Sequence, residues 1–172
     1  MKGMEHNLTQ EQKEILSQLF SKDEKTVLNS IKIMRKKGGE FIVKPLLEIY
    51  FTTESESIRD AIYSLICDLK NNKTADIFVK NIELYANNDK LSKLLSAFWQ
   101  STIKFTDLLP FVKVFFSSNT YSAVEVLTII EQNAYNISNE NKLKCNELIL
   151  SKISELEGFK HDVANEILEF LK

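Results

Sequence analysis

Apolar residues recur at intervals of three and four almost from end to end of the chain, and the breaks between these stripes are rich in Asn, Ser, Thr, Asp and Lys. The period is helical and predicts ten helices, approximately over 9–20, 23–37, 41–51, 56–70, 74–86, 89–102, 106–117, 120–135, 139–156 and 160–171. Thr9, Thr74 and Thr106 stand just before or at the start of stripes, where a hydroxyl can accept from an orphan amide. Gly38-Gly39 and Gly158 are expected to end helices. Asn clusters at 71–72, 87–88 and 136–141 mark other turns. Pro45 and Pro110 are expected about four residues into their helices, where the missing amide is still close to the unpaired first turn.

The stripes also repeat at longer range. KPLLEIYFTTESES, starting at Lys44, aligns with LPFVKVFFSSNTYS, starting at Leu109, at an offset of 65, which goes on to pair Ile62 with Leu127 and Leu65 with Ile130. The offset is two units of about 32 residues. The central apolar residue of every second helix then falls at Ile31, Ile62, Leu95 and Leu127, and a longer last unit reaches Ile167. Two helices per unit of this length describe an α-solenoid, in which each pair buries its stripe by stacking on its neighbours. Gly 4 and Pro 2 agree with helices joined by short polar turns rather than with hairpins.

Ile58-Arg59-Asp60-Ala61-Ile62, after the turn TTESES, resembles the Val-Arg-x-x-Ala signature of HEAT repeats, and the preceding IVKPLLEIYF resembles their first helix, proline included. The corresponding positions in other units read Val27-Leu28, Leu91-Ser92 and Val163-Ala164, so one unit alone carries the arginine. The resemblance implies an all-α fold, a right-handed HEAT-like α-solenoid of about five antiparallel helix pairs forming one domain over 9–172, and residues 1–8 before it are expected to be a flexible head. It also implies an inner, concave face made by the second helices.

The chain's one tryptophan, Trp99, lies four residues after Leu95, at the edge of the stripe of Leu91, Leu94, Leu95 and Phe98. Equivalent positions are Arg35, Ile66 and Glu131, which favours a packing role for the indole over a binding hot spot.

At 172 residues the chain can bury roughly 70% of the surface of its unfolded form without disulfides. Hydrophobic residues at 44% and charged residues at 27% match an ordinary globular domain. The formal charge is -2, with 17 basic against 15 acidic residues in 1–119 and 5 against 9 in 120–172, so no global field draws the chain to phosphate or anionic lipid. The start MKGMEHNLTQEQKE lacks the apolar core of a signal peptide, and no run of about 18 apolar residues occurs, which sets the expected location as the cytoplasm. Cys67 and Cys145, without Cys-x-x-Cys spacing, are expected to be small buried residues.

Catalytic motifs are missing. No phosphate loop, dinucleotide fingerprint or nucleophile elbow occurs. His6 and His161 are too far apart from the cysteines in sequence to suggest a zinc set, and His161 reads as a surface or capping residue. Glu54 and Glu56 suit a helix N-terminus, and Arg35-Lys36-Lys37 a helix C-terminus. No cofactor, metal or enzymatic activity is expected.

Register then gives the second-helix face: Asn29, Asp60, Lys93 and Glu125 two residues before the centres, Lys32, Tyr63, Ser96 and Thr128 one after, and Lys36, Cys67, Gln100 and Gln132 five after. The binding residues expected on it are Lys32, Lys36, Tyr63, Ser96, Gln100 and Gln132. Their mixed character fits a non-catalytic scaffold that binds a peptide or helix of another protein. The alternative is a nucleic-acid-binding protein related to the DNA glycosylases that resemble HEAT-like arrays, with Trp99, Asp60 and residues 35–37 in the key parts. That reading is disfavoured because affinity for a polyanion grows with aligned cations, which this register lacks. A monomer is expected, and the apolar last helix with Val163, Ala164, Ile167, Leu168, Phe170 and Leu171 offers an end cap for a dimer.

Overall fold

The computed structural model describes residues 8–37 and 39–172, and every regular element in them is helical. Ten α-helices follow in order: α1 (Gln10–Leu19), α2 (Glu24–Lys37), α3 (Val43–Thr52), α4 (Glu56–Cys67), α5 (Asn72–Ile82), α6 (Leu91–Gln100), α7 (Leu109–Ser117), α8 (Thr120–Asn133), α9 (Asn139–Lys152) and α10 (Gly158–Phe170). Each coincides with one predicted from the apolar period. Short 3-10 turns lead into α3 and extend α5 and α9. The expected head at 1–8 falls almost wholly outside the described residues, as do His6 and Gly38.

Polar turn residues explain most helix starts. Thr9 and Gln12 form a reciprocal capping box on α1. Asp23 accepts the Thr26 amide at 3.0 Å ahead of α2, and this bond and the Thr26 hydroxyl hold its carboxyl below the usual range. Ser55, Asn71, Asn119 and Ser138 cap α4, α5, α8 and α9 through their side-chain oxygens. Two expected caps move. Thr74 is a buried residue inside α5, donating its amide to Asn71, because the carboxamide three residues earlier reaches that orphan donor first. Thr106 lies in the segment before α7, whose start is held instead by Asp107 and Asn141. Pro45 and Pro110 are the third residue of α3 and the second of α7, within the first turn in both cases. Gly158 opens α10 instead of closing α9, and its φ of +52° is a left-handed conformation that favours glycine.

The chain packs as two compact units, one ending at Asp68 and the other running Leu69–Lys172. In the first, α2 packs on α1 and α4, and α4 on α3. Leu19, Ile31, Met34, Leu46, Leu47, Tyr50 and Ile62 form its interior, and the buried Ser30 hydroxyl donates to the Ile15 carbonyl at 2.8 Å. Arg59, the arginine of the signature-like stretch, donates to the Thr53 carbonyl at 2.9 Å and so ties α4 to the end of α3.

In the second unit α6, α8 and α10 pack side by side in one row, and α5, α7 and α9 in another, with α7 on α8 and α9 on α10. Four phenylalanines meet inside: Phe98 lies edge-to-face on Phe78, Phe105 and Phe111 at 6.3, 5.8 and 6.1 Å between centroids. Lys160 of α10 donates to the Phe116 and Ser118 carbonyls at 3.1 and 2.7 Å, closing the end of α7 from a neighbouring helix pair. Of the five expected stripe centres, Ile31, Ile62, Leu95 and Ile167 are buried, but Leu127 is only half-buried. In α8 the inward positions are Ala123, Val126, Ile129, Ile130 and Asn133, so the stripe centres one residue earlier, on Val126.

Candidate functional site

A helix in a packed row has one side on the row behind, two flanks on its neighbours and one open side. In the first unit α2 buries Val27, Ser30, Ile31 and Met34, and α4 buries Ile58, Ile62, Leu65 and Ile66. Lys32 and Lys36, one turn apart, are exposed on α2, and Tyr63 is half-buried on α4. Arg35 is an ion-pair partner of Asp68 at 2.7 Å and Lys37 of Glu11 at 2.5 Å, while Lys32 and Lys36, like Lys25 in the first turn, point outward from α2. This basic helix end is where the sequence places it.

In the second unit Ser96 and Gln100 share the open side of α6, half-buried and exposed respectively, and Gln132 is exposed on the adjacent α8. Ser96 turns its hydroxyl back to the Lys93 carbonyl at 2.8 Å. Between the two helices stands Trp99. Its indole is half-buried, and its Nε1–H donates to the Glu125 carboxylate at 2.6 Å. The indole thus serves the packing of α6 on α8 and also shows an edge on the surface. A carboxylate acceptor makes this a short charge-assisted bond across the two helices. Glu125→Ala is expected to increase acrylamide quenching of the single tryptophan and to cost about 1 kcal/mol in unfolding free energy. Unchanged quenching would show that the carboxylate does not hold the ring.

The open side of α8 carries more than the sequence led us to expect. Tyr121, Val124 and Tyr135 are 77%, 41% and 90% exposed. Tyr121 and Val124 sit with Thr128 and Gln132 on the side of α8 opposite Val126, and Tyr135 lies in the turn that follows the helix. The one-residue shift of the stripe in α8 explains why a register counted from Leu127 passed over Tyr121 and Val124. The signal was available in the spacing of Ala123, Val126, Ile130 and Asn133, which places Tyr121 and Val124 outward.

The cysteines divide. Cys145 is buried, with its Sγ 3.8 Å from Asn141 Oδ1, and burial, with the Asp107 charge, pushes its thiol up to about 12. Cys67 is not fully buried as expected; it is half-buried at the end of α4, where partial burial raises its thiol less. Since the thiolate is the nucleophile, iodoacetamide at pH 8 should modify Cys67 slowly, leave Cys145 intact in the folded chain and modify both in denaturant. Equal labelling of the two in the folded chain would contradict the burial of Cys145. His161 is exposed, 3.2 Å through Nδ1 from the Asn165 amide.

A cleft of about 510 Å³ opens in the other row among Glu83, Lys113, Phe116, Leu148, Lys152 and Glu155, with Lys152 Nζ 5.4 Å from the Phe116 ring centre. Its acids and bases balance. Among the described residues no three His, Cys, Asp or Glu side chains are placed to hold a metal ion, and no helix is long and apolar enough to cross a membrane. Comparison with protein-family models, with curated proteins and with solved structures finds no match for this chain.

Proposed function

We propose that this chain is a non-catalytic protein-interaction module, a HEAT-like α-solenoid whose second helices bind a peptide or helix of another protein on their open side. The observation that carries this reading is the side-by-side row of α6, α8 and α10, whose open side holds Ser96, Gln100, Gln132 and the exposed Tyr121, with the exposed Tyr135 in the turn after α8. A rigid row of helices with uncovered tyrosines and amides offers contact area at a low cost in side-chain entropy. In the first unit Lys32, Lys36 and Tyr63 are the corresponding groups.

The test is affinity capture of the tagged chain from its native lysate, with and without nuclease, beside two variants. Lys32→Glu/Tyr63→Ala alters the first unit, and Gln100→Ala/Gln132→Ala the second. Loss of a nuclease-resistant, stoichiometric protein from either variant supports the reading. Recovery of that protein unchanged by both variants would refute the assignment of the surface, and bound material that disappears with nuclease would turn the function to nucleic acid.

A further inference from the structure

Resting on the protein-binding reading, we propose that the open side of α8 and α10 takes an arginine-bearing segment of the partner, its guanidinium groups lying between Tyr121 of α8 or Tyr135 just after it and the carboxylates of α8 and α10. No Lys or Arg occurs between Lys113 and Lys142, so α8 has no cation of its own. Its open side carries Tyr121, Val124, Thr128 and Glu131, and the exposed Tyr135 stands in the turn just after it.

The neighbouring α10 buries Val163, Ala164 and Ile167 and exposes Asp162, Glu166 and Glu169, which recur at intervals of four and three along one side. The one lysine within α10, Lys160, is taken up by the Phe116 and Ser118 carbonyls and by the Phe115 ring, 5.4 Å from its Nζ. Asp162 lies 3.9 Å from the His161 ring, and Glu169 pairs with Lys172 one turn beyond. Glu131 and Glu166 have no ion-pair partner among the described residues.

Two carboxylates of this face, Glu131 and Glu166, are thus uncompensated from within, and α8, which packs beside α10, carries the exposed Tyr121. Guanidinium is the group that satisfies both neighbours at once. It stacks on a phenol ring with little loss of hydration and forks onto a carboxylate with two parallel hydrogen bonds. A lysine can sit over a ring or meet a carboxylate, but it has no plane to stack on the ring and no fork of parallel donors for the carboxylate, and a neutral apolar helix would leave Glu131 and Glu166 desolvated without a partner. Val124 lies on the same open side as Tyr121 and gives an apolar side chain of the segment a place to rest.

The proposal is tested by fluorescence anisotropy with three fluorescein-labelled synthetic peptides of one helical Leu/Arg pattern: the arginine form, the same peptide with citrulline at each arginine, and the same with glutamate. The full chain is expected to bind the arginine form and to bind the citrulline and glutamate forms at least about tenfold more weakly. Glu131→Lys/Glu166→Lys should weaken the arginine peptide about tenfold or more, and Tyr121→Ala/Tyr135→Ala about fivefold. The charge-matched control Glu24→Lys/Glu48→Lys, on the other unit, should stay within about twofold. Equal loss in the control and the site variants would reduce the effect to net charge and overturn the proposal, as would citrulline binding as tight as arginine. Self-association of the chain that Tyr121→Ala/Tyr135→Ala abolishes would assign the face to a second copy and also overturn it. If the arginine peptide does not bind while Gln100→Ala/Gln132→Ala still loses its captured protein, this proposal fails and the protein-binding reading stands. If capture is unaffected as well, both fail.

Discussion

Phe98→Ala is expected to lower the unfolding free energy by about 3–5 kcal/mol, the largest loss anticipated from a single side chain here. Phe98 is buried at the meeting point of Phe78 from α5, Phe105 from the segment before α7, and Phe111 from α7. Truncation removes its transfer free energy and leaves a cavity whose walls come from three elements, none of which can close it without moving a helix. The edge-to-face contacts add roughly 0.5–1.5 kcal/mol for each well-formed pair beyond the area buried. Urea unfolding followed by circular dichroism measures the loss, and Phe98→Leu should recover more than half of it. A loss below about 1 kcal/mol for the alanine variant would show that the ring is not enclosed on all sides.

Asn133→Ala is expected to cost about 2–4 kcal/mol although the residue is polar. Its side chain is buried in α8, where Oδ1 accepts the Phe105 amide at 2.9 Å and Nδ2 donates to the Ile129 carbonyl at 2.8 Å. The first of these bonds fastens the irregular segment after α6 to the core. Alanine leaves the Phe105 amide buried with no acceptor, and a buried donor without a partner costs more than the bond itself contributes. Asn141, which serves the Leu108 amide at 3.0 Å, is less buried, and water can replace part of what Asn141→Ala removes. The Asn133 loss should therefore exceed the Asn141 loss in the same urea titration. The reverse order would contradict the enclosure of the Phe105 segment.

The ten helices were legible in the sequence because each carries a buried stripe long enough to set its own period. Their ends were less legible, since several side chains can compete for the same orphan amides. Asn71 takes the place expected for Thr74, and Asp107 with Asn141 that expected for Thr106. The second of these pairings joins residues 34 apart, and no local reading could anticipate it. Lys160 reaching the end of α7 is another non-local choice. On the candidate surface, Lys32, Lys36, Gln100 and Gln132 are exposed where register put them. Tyr121 was missed because α8 has apolar residues at both 126 and 127, and the repeat spacing selected Leu127 while packing selected Val126; Tyr135 lies beyond the helix, in the turn at 134–136. A one-residue choice on a helix rotates the inferred face by roughly 100°, enough to exchange an open side for a flank.

The open side of the α6, α8 and α10 row as the proposed binding surface is tested most directly by photo-cross-linking in the native cell. A benzophenone side chain is placed in turn at Gln100, Tyr121 and Gln132 on the open side of the second unit, and at Lys113 and Leu150 in its other row. The prediction is one protein of constant mass cross-linked from the open-side positions and absent from Lys113 and Leu150. Cross-links confined to Lys113 and Leu150, or products of the same mass from every position, would contradict it.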